Sequence, residues 1–304
     1  MERPDASVVV VTYNALPWLE QCLESVRGRE LVVVDHGSTD GTLALVRERF
    51  PEARIVEQEN KGMGGGNNAG MQEATGRYFF LLNSDAWVVG DGLDRLVAYA
   101  DAHPEAAVVG PRLRNTDGTL QRSVRAEPTL WRLATEYLFI RKLAPRSSLL
   151  NPLYVGGFDH ESERAADWLY GPALLVRREA VDQVGPFDEA FFMFSEEVDW
   201  MTRFREAGWK VLFYPGAEVV HVGGATHGGR MYVENLRGHI RWFAKHRGPK
   251  AAEHVRLLLL WSLRLRALVL RRDADREGID FLSSGDAATL VSRSGAGEAG
   301  ACAL

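Results

Sequence analysis

Apolar residues fall into two rhythms along this chain. Unbroken β-branched or aromatic runs occur in SVVVVTYN (7–14), LVVVDHGSTDGT (31–42), ARIVEQ (53–58) and RYFFLLNSDAWV (77–88). In each an apolar run gives way to polar residues (Thr12-Tyr13-Asn14, Asp35, Glu57-Gln58 and Asn83-Ser84-Asp85), the pattern of a strand buried in a parallel sheet. Between the runs lie stripes with a helical period. LPWLEQCLESV (16–26) puts Leu19, Leu23 and Val26 on one face, and TLALVRERF (42–50) and GLDRLVAYADAHP (92–104) follow the same rule. NKGMGGGNNAGMQEATG (60–76) reads as a glycine-rich turn entering a helix, and AAVVGPRL (106–113) as another strand. This alternation predicts an α/β fold, a mostly parallel central sheet flanked by helices on both faces.

Beyond residue 114 the rhythm weakens. DGTLQRSVRAEPTLWRL (117–133) resists assignment. RKLAPRSSLLNPLYVGGFDHESERAA (141–166) reads as a long surface loop of the kind used as a substrate lid. DWLYGPALLVRREAVDQVGPFDEAF (167–191) reads as a strand and a short helix. EEVDWMTRFREAGW (196–209) reads as a helix with Val198, Met201, Phe204 and Ala207 on one side, and KVLFYPGAEVVHVGG (210–224) as two short strands. The expected organisation is a body over 1–228, with halves 1–100 and 101–228, then a basic helical extension over 229–281. A small, polar tail over 282–304 is expected to be disordered.

Composition sharpens the outline. The 304 residues suffice for one large domain with an appendage. The two cysteines, Cys22 and Cys302, are far apart, which excludes a disulfide framework and a CxxC metal or redox site. The start, MERPDASVVVVTYN, lacks a basic leader, so no signal peptide is expected. The net charge of −5 hides an asymmetry: residues 230–276 hold 12 Lys/Arg against 4 acids, a local +8 that leaves −13 elsewhere. Such a segment suits an anionic partner. Within it, LLLLWSLRLRALVL (257–270) is shorter than the ~20 apolar residues of a membrane span and is interrupted by Arg264 and Arg266. Two readings fit: an interfacial helix on an anionic membrane surface, or a docked helix with snorkelling arginines. The expected location is cytoplasmic, peripheral at the inner face of the plasma membrane.

Ligands of parallel sheets sit beyond the carboxyl ends of the strands. Here those ends carry Thr12-Tyr13-Asn14, Asp35, and Asn83-Ser84-Asp85. Asp35 suits a nucleobase N–H or a ribose hydroxyl, and Asp85 suits a divalent cation; either could instead brace a turn. GMGGGNNAG is not a dinucleotide fingerprint, because Asn67 stands where GxGxxG needs glycine and the run follows the third strand. It could let a phosphate approach backbone N–H groups, or simply bring a helix close to the sheet. His221 and His227 in VVHVGGATHGG are candidate metal ligands or structural residues. FMFSEEVDW brings Glu196, Glu197 and Asp199 together. As a helix start it would have Ser195 as N-cap, acids complementing the dipole, and Asp199 paired with Arg203.

These segments occur together in one order: VVVVTYN, VVVDHGSTDGT, NKGMGGGNNAG, FFLLNSDAWV, WLYGPALLVRREAVDQVGPFDEAFFMFSEEVDWMTRFREAGWKV and EVVHVGG. In that order and spacing the chain resembles family 2 glycosyltransferases of the GT-A fold, over about residues 7–247. Within the family it is most similar to bacterial rhamnosyltransferases, including those acting on polyprenyl-diphosphate N-acetylglucosamine in cell-wall or polysaccharide assembly. The resemblance implies a Rossmann-like GT-A fold with a C-terminal helical extension. It implies that Thr12, Tyr13 and Asp35, with neighbouring Asn14, hold nucleobase and ribose, and that Asn60, Lys61, Gly62 and Asn67 line a nucleotide-sugar. Asn83-Ser84-Asp85 matches the family's D-x-D motif, with Asp85 and His221 toward Mg²⁺ or Mn²⁺ and the diphosphate. Glu196-Glu197 matches its E-D pair, whose second acid is the general base. Two departures stand out: Asn83 replaces the first D-x-D acid, and Glu197 is one methylene longer than the usual aspartate.

The implied activity is inverting, metal-dependent transfer of a sugar, rhamnose from dTDP-rhamnose, to a lipid-linked or polysaccharide acceptor, without nucleic acid. Glu197 is assigned as base, Glu196 as an acceptor-hydroxyl ligand, and Asp199 as support and alternative base. Asn83 and Glu197 also admit a catalytically silent sugar-nucleotide-binding subunit. A UDP-sugar donor, UDP-galactose or UDP-N-acetylglucosamine, is a further alternative. A nucleotidyltransferase would want a basic loop after the first strand, and TYNALPWLE has no Lys or Arg.

Overall fold

A computed structural model describes residues 5–223, 229–270 and 272–293; His227, Arg271, Cys302 and the rest of the tail from 294 lie outside the described residues. The chain divides into two compact units. One comprises Met1–Glu127, Phe158–Phe192 and Glu196–Ala225, the other Pro128–Gly157, Met193–Ser195 and Thr226–Leu304. The expected boundary near 228 is therefore incomplete, because residues 128–157 leave the body and join the C-terminal helices.

The first half runs β1 (Ala6–Thr12), α1 (Leu16–Glu24), β2 (Glu30–Asp35), α2 (Thr42–Arg49), β3 (Arg54–Glu57), α3 (Gly62–Glu73), β4 (Tyr78–Asn83), β5 (Ala86–Val88), α4 (Gly92–Ala102) and β6 (Ala106–Arg114). Then come β7 (Leu120–Gln121), β8 (Val124–Arg125), α5 (Leu130–Tyr137), β9 (Arg164–Ala165), β10 (Trp168–Leu169), β11 (Ala173–Arg177) and α6 (Arg178–Val184). The chain closes with α7 (Glu196–Glu206), β12 (Lys210–His221), α8 (Gly229–Arg247), α9 (Pro249–Leu270), α10 (Asp273–Ser283) and α11 (Gly285–Arg293).

In the first unit the sheet order is β3-β2-β1-β4-β11-β6-β12-β5. β3, β2, β1 and β4 are parallel, as their apolar runs predict. β1 is buried on both faces. Val8 and Val10 join a core with Leu19, Leu23, Val46 and Phe80, while Val9 and Val11 turn to the other face and meet α3. This alternation is the two-residue period of a strand. β11 runs antiparallel between β4 and β6, so the sheet is mixed at its centre.

Several expectations are corrected. Residues 77–88 form two strands with a turn at Ser84-Asp85. Residues 210–221 form one strand, irregular between Tyr214 and Glu218, where Pro215 interrupts the ladder. α7 is buried on more than one side: Asp199, Trp200 and Thr202 are buried along with Val198, Met201 and Phe204, and Ala207 is exposed. The 141–166 stretch is no plain surface loop. Leu153 and Asn151 are buried in the second unit and His160 in the first. His160 Nε2 accepts the N–H groups of Ser123 and Val124, each at 3.3 Å. Burial lowers its pKa to about 4, so the ring stays a neutral acceptor.

The second unit is helical, with α8 and α9 as its centre and α5, α10 and α11 packed on them. Leu236, Ile240, Trp242, Val255, Leu259, Leu263 and Leu282 are its buried core. Asp275 is buried in an ion pair with Arg266 at 2.8 Å, and Arg266 also donates to the Tyr232 hydroxyl at 3.1 Å and lies over Phe139. The disordered tail expected from 282 does not begin there: α11 forms over Gly285–Arg293, with Ala287 fully buried. α9 splits by face. Leu259, Ser262 and Leu263 are buried, whereas Leu257, Trp261, Leu265 and Leu268 are exposed, the last at 79 %. No helix among the described residues is long and apolar enough to cross a membrane.

Candidate active site

The loops after β1 and β2 are stitched to each other. Asp35 is fully buried and accepts from the Thr12 hydroxyl (2.9 Å), the Ser38 hydroxyl (2.5 Å), Gly37 N–H (3.0 Å) and Ser38 N–H (2.8 Å). A carboxylate offers about four acceptor sites, so its neighbours fill Asp35. Asn14, at φ +51°, accepts from Thr39 N–H at 2.8 Å and donates its own N–H to the Ser38 hydroxyl. Tyr13 is left 57 % exposed at the rim. The structure thus has Asp35 bracing this turn, with Tyr13 and Asn14 exposed beside it.

The glycine run is helix rather than turn. A glycine in a helix interior costs about 1 kcal/mol relative to alanine, so the packing must require it. It does: a Cβ on Gly66 would fall 2.7 Å from Val11 Cγ1, and one on Gly70 2.3 Å from Val9 Cγ1. Gly62, at φ +79°, would place a Cβ 1.8 Å from the Phe192 carbonyl oxygen, which instead accepts from Met63 N–H at 3.0 Å. Asn60 Oδ1 accepts from Gly62 N–H, Lys61 is exposed, and Asn67 is buried. Asn68 fastens the helix by a reciprocal pair of hydrogen bonds with the backbone of Phe187.

Asp85 follows β4 and His221 ends β12. His221 Nε2 lies 3.3 Å from Asp85 Oδ1, and Asp85 Oδ2 accepts from Gly223 N–H at 3.3 Å. Burial raises the Asp85 carboxyl, but the contacts with His221 and Gly223 outweigh it, and its pKa is lowered. No group of three or more His, Cys, Asp or Glu converges among the described residues. Two protein ligands still fit a cation of the Mg²⁺ type, which keeps few protein ligands when phosphates supply oxygen. Asn83 and Ser84 are half-buried beside them.

The three acids of FMFSEEVDW separate. Asp199 is fully buried and bonds Arg203 at 2.9 Å, whose other nitrogens reach the carbonyls of Val184 and Pro186. That pairing, expected from the spacing, removes Asp199 as alternative base. Ser195 is not an extended N-cap; Phe194 and Ser195 sit at φ +67° and +66°. Glu196 lies toward α3, its Cβ 3.8 Å from a Cβ built on Gly64. Glu197 lies toward Gly171, its Oε1 3.9 Å from a Cβ built there. Oε2 of each acid lacks a hydrogen-bond partner. Burial raises both carboxyls. Glu196, repelled also by Glu197, goes well above its ordinary value, and Glu197 goes to about 7 against the opposing pull of helix N–H groups and Arg125.

Tyr170-Gly171-Pro172 ties these parts together. Pro172 carbonyl oxygen accepts from Asn83 N–H at 2.9 Å, Gly171 meets Glu197, and the Tyr170 ring meets the His221 ring edge-on at 5.8 Å. One tripeptide therefore touches the Asn83-Ser84-Asp85 segment, the raised acid and the histidine.

Comparison with known proteins agrees with this arrangement. The glycosyl transferase family 2 model matches residues 7–157. The chain is 35 % identical over 242 residues to the N-acetylglucosaminyl-diphospho-decaprenol L-rhamnosyltransferase of Mycobacterium tuberculosis, covering 70 % of this chain and 75 % of that one. It belongs to glycosyl transferase family 2. Solved structures share its fold. A Pyrobaculum calidifontis mannosyltransferase in complex with GDP-Man and Mn²⁺ aligns at TM-score 0.55 and 18 % identity, over 96 % of this chain and 87 % of that one. GalNAc-T7 with UDP, GalNAc and Mn²⁺ aligns at 0.60 and 16 %, over 92 % and 54 %.

In this family 2 glycosyltransferase the sequence placed Asp85 with His221, and both neighbouring loops, correctly at one end of the sheet. It missed Tyr170, Gln121 and Arg125. Arg125 lies over the Trp168 and Tyr170 rings at 5.9 and 6.0 Å. Gln121 Oε1 lies 2.8 Å from His221 Nδ1. Both stand on two-residue strands, β7 and β8, too short to carry a period.

Proposed function

We propose that this glycosyltransferase transfers a sugar with inversion at the anomeric carbon, rhamnose from dTDP-rhamnose, to a lipid-linked N-acetylglucosamine acceptor in cell-envelope glycan synthesis. The observation that carries the mechanism is the Tyr170–Pro172 hub, which joins a raised, partner-poor carboxylate to the Asp85–His221 pair. The likeness to the mycobacterial rhamnosyltransferase supports rhamnose as the sugar and a lipid-linked N-acetylglucosamine as the acceptor.

An inverting transfer is one in-line displacement, so a base must take the acceptor hydroxyl proton while the leaving diphosphate is stabilised opposite. Glu197 is the base. Its ordinary carboxyl would be a weak one, and burial raises it toward neutrality. Its free Oε2 is the atom that receives the proton. Glu196 holds an acceptor hydroxyl. Asp85 and His221 are the residues that would hold Mg²⁺ or Mn²⁺, which when bound would offset negative charge on the diphosphate. Tyr13, Asn14, Asn60, Lys61, Gly62, Asn67, Asn83 and Ser84 line the nucleotide-sugar, with Thr12 and Asp35 fixing the loop that carries the first two.

The acceptor's lipid places the reaction at a membrane, and α9 offers a means of attachment. Leu257, Trp261, Leu265 and Leu268 recur at helical spacing on its exposed side, and Arg264 lies over the Trp261 ring. Each of the four acids in 230–276 is paired with an arginine of the same segment. This face would bind the anionic inner leaflet, making the protein peripheral there.

The test supplies purified protein with Mn²⁺ or Mg²⁺, polyprenyl-diphosphate N-acetylglucosamine and a panel of dTDP- and UDP-sugars. The expected product gains one deoxyhexose of inverted configuration from dTDP-rhamnose. Transfer from a UDP-sugar alone would refute the donor, and no transfer from any would refute the activity. Vesicles with anionic lipid should sediment the wild type and fail to sediment a Trp261→Ser/Leu265→Ser/Leu268→Ser variant.

A further inference from the structure

The hydrogen bonds leading to His221 have one direction. Asp117 Oδ1 accepts from the Thr119 hydroxyl and from Thr119 N–H. Having given its only proton, the Thr119 oxygen is left as an acceptor, and Asn115 Nδ2 donates to it at 2.8 Å. That orients the Asn115 amide, whose Oδ1 accepts from Gln121 Nε2 at 2.9 Å. The Gln121 amide is oriented in turn, with its oxygen 2.8 Å from His221 Nδ1. An amide oxygen only accepts, so the network assigns the proton to Nδ1. Gly223 closes over the pair. At φ +64° its Cβ would fall 3.2 Å from Gln121 Nε2 and 3.3 Å from His221 Cε1, while its N–H reaches Asp85 Oδ2.

We propose that Gln121 is a positioning residue: it holds a proton on His221 Nδ1, so that Nε2, beside Asp85, is the ring nitrogen kept for the cation. This rests on the reading that a divalent cation sits at Asp85 and His221. With Nδ1 protonated, His221 Nε2 and Asp85 Oδ1 at 3.3 Å need a proton or a cation between them, and a divalent cation is the occupant in that reading. Histidine ligands to metals commonly have the second ring nitrogen fixed in this way, and losing that partner weakens the metal by about 10–100-fold. The head of the relay, Asp117 and Thr119, is exposed on the β6–β7 turn, remote in sequence from any motif of the site.

Two measurements separate the inference from the reading beneath it. In metal-free protein labelled with ¹⁵N-histidine, the His221 signals should show a proton on Nδ1, whether or not Nε2 also carries one. A bare Nδ1 with a protonated Nε2 overturns the role of Gln121. Mn²⁺ titration followed by electron paramagnetic resonance should show Gln121→Leu binding about 10–100-fold more weakly than wild type. Gln121→Glu, which keeps an acceptor, should stay within a few-fold. Equal losses in both variants overturn the inference, as does no loss in either. A wild type that binds no Mn²⁺, with Nδ1 still protonated, refutes the cation reading and leaves Gln121 as the residue that sets the tautomer. Thermal unfolding of both variants checks that they are folded.

Discussion

Asp35, fully buried after β2, and Glu197, half-buried in the first turn of α7 with Oε2 out of water, have opposite surroundings. Asp35 has four donors, three from its own loop and one from Thr12 on β1. Glu197 keeps an oxygen with none and a carboxyl raised to about 7. A carboxylate given every donor it can use becomes structure. One starved of donors becomes reactive, because desolvation without compensation favours its protonated form and makes its anion a stronger base. Under the roles proposed above, burial alone does not mark a catalytic acid; the count of donors does.

The sharpest break of that comparison is Glu197→Gln. The amide nearly preserves size and cannot take a proton, so transfer should fall by about 10²–10⁴-fold, with donor affinity changed little. Single-turnover transfer beside donor binding by calorimetry checks both. An unchanged rate would return the base to another group. The pH profile is the same test without a mutation. Below about pH 7 Glu197 holds its proton, so kcat/KM should drop about tenfold per pH unit. Stability moves the other way. A carboxyl whose folded pKa is raised contributes stability that is fully present below its unfolded pKa and is lost as pH rises through about 7. Glu197→Gln removes that loss, so at pH 8 it should be neutral or stabilising in thermal unfolding.

Asp35→Asn should do the reverse. Replacing one carboxylate oxygen by an amide NH₂ sets a donor against Thr12 and Ser38 or the backbone N–H groups of Gly37 and Ser38. Leaving buried polar groups unmatched costs about 1–3 kcal/mol, read as a lower Tm. Activity at a temperature well below Tm should fall only as far as the loop carrying Tyr13 and Asn14 loosens, mainly in donor KM. A stable Asp35→Asn protein with lost nucleotide binding would make Asp35 a ligand after all.

The two acids also differ in how far the sequence reveals them. Asp-His-Gly-Ser after a strand is a readable turn, since the aspartate can bond N–H groups two and three residues on, as it does. The strands of the parallel half were legible for a similar reason, each being a local apolar run. Glu197's condition is set by its burial near Gly171 and by Arg125, brought up by the segment leading into antiparallel β11 and by a strand of two residues. Nothing local announces such pairing. The glycines of α3 misled in another way: their low helix propensity suggests a turn, and only contact with Val9 and Val11 explains why a helix needs them. Asp199 was legible as the partner of Arg203 by spacing alone, but its complete burial was not.

The smallest effect expected, and the finest test, is Glu196→Gln. Glu196 and Glu197 repel each other as neighbouring buried carboxylates, and they titrate as a pair. The Glu197 charge raises Glu196, whereas Glu197 is raised by burial, so Glu196 keeps its proton while Glu197 titrates and Glu196→Gln should leave the acid limb of kcat/KM near pH 7. The plateau rate at high pH should fall modestly if Glu196 holds an acceptor hydroxyl, and that loss should appear in acceptor KM, with donor KM unchanged. A limb that moves to lower pH would mean that Glu196 carries its charge while Glu197 titrates. A limb that vanishes would mean that Glu196 carries the proton, and the two faces of the α7 start would exchange roles.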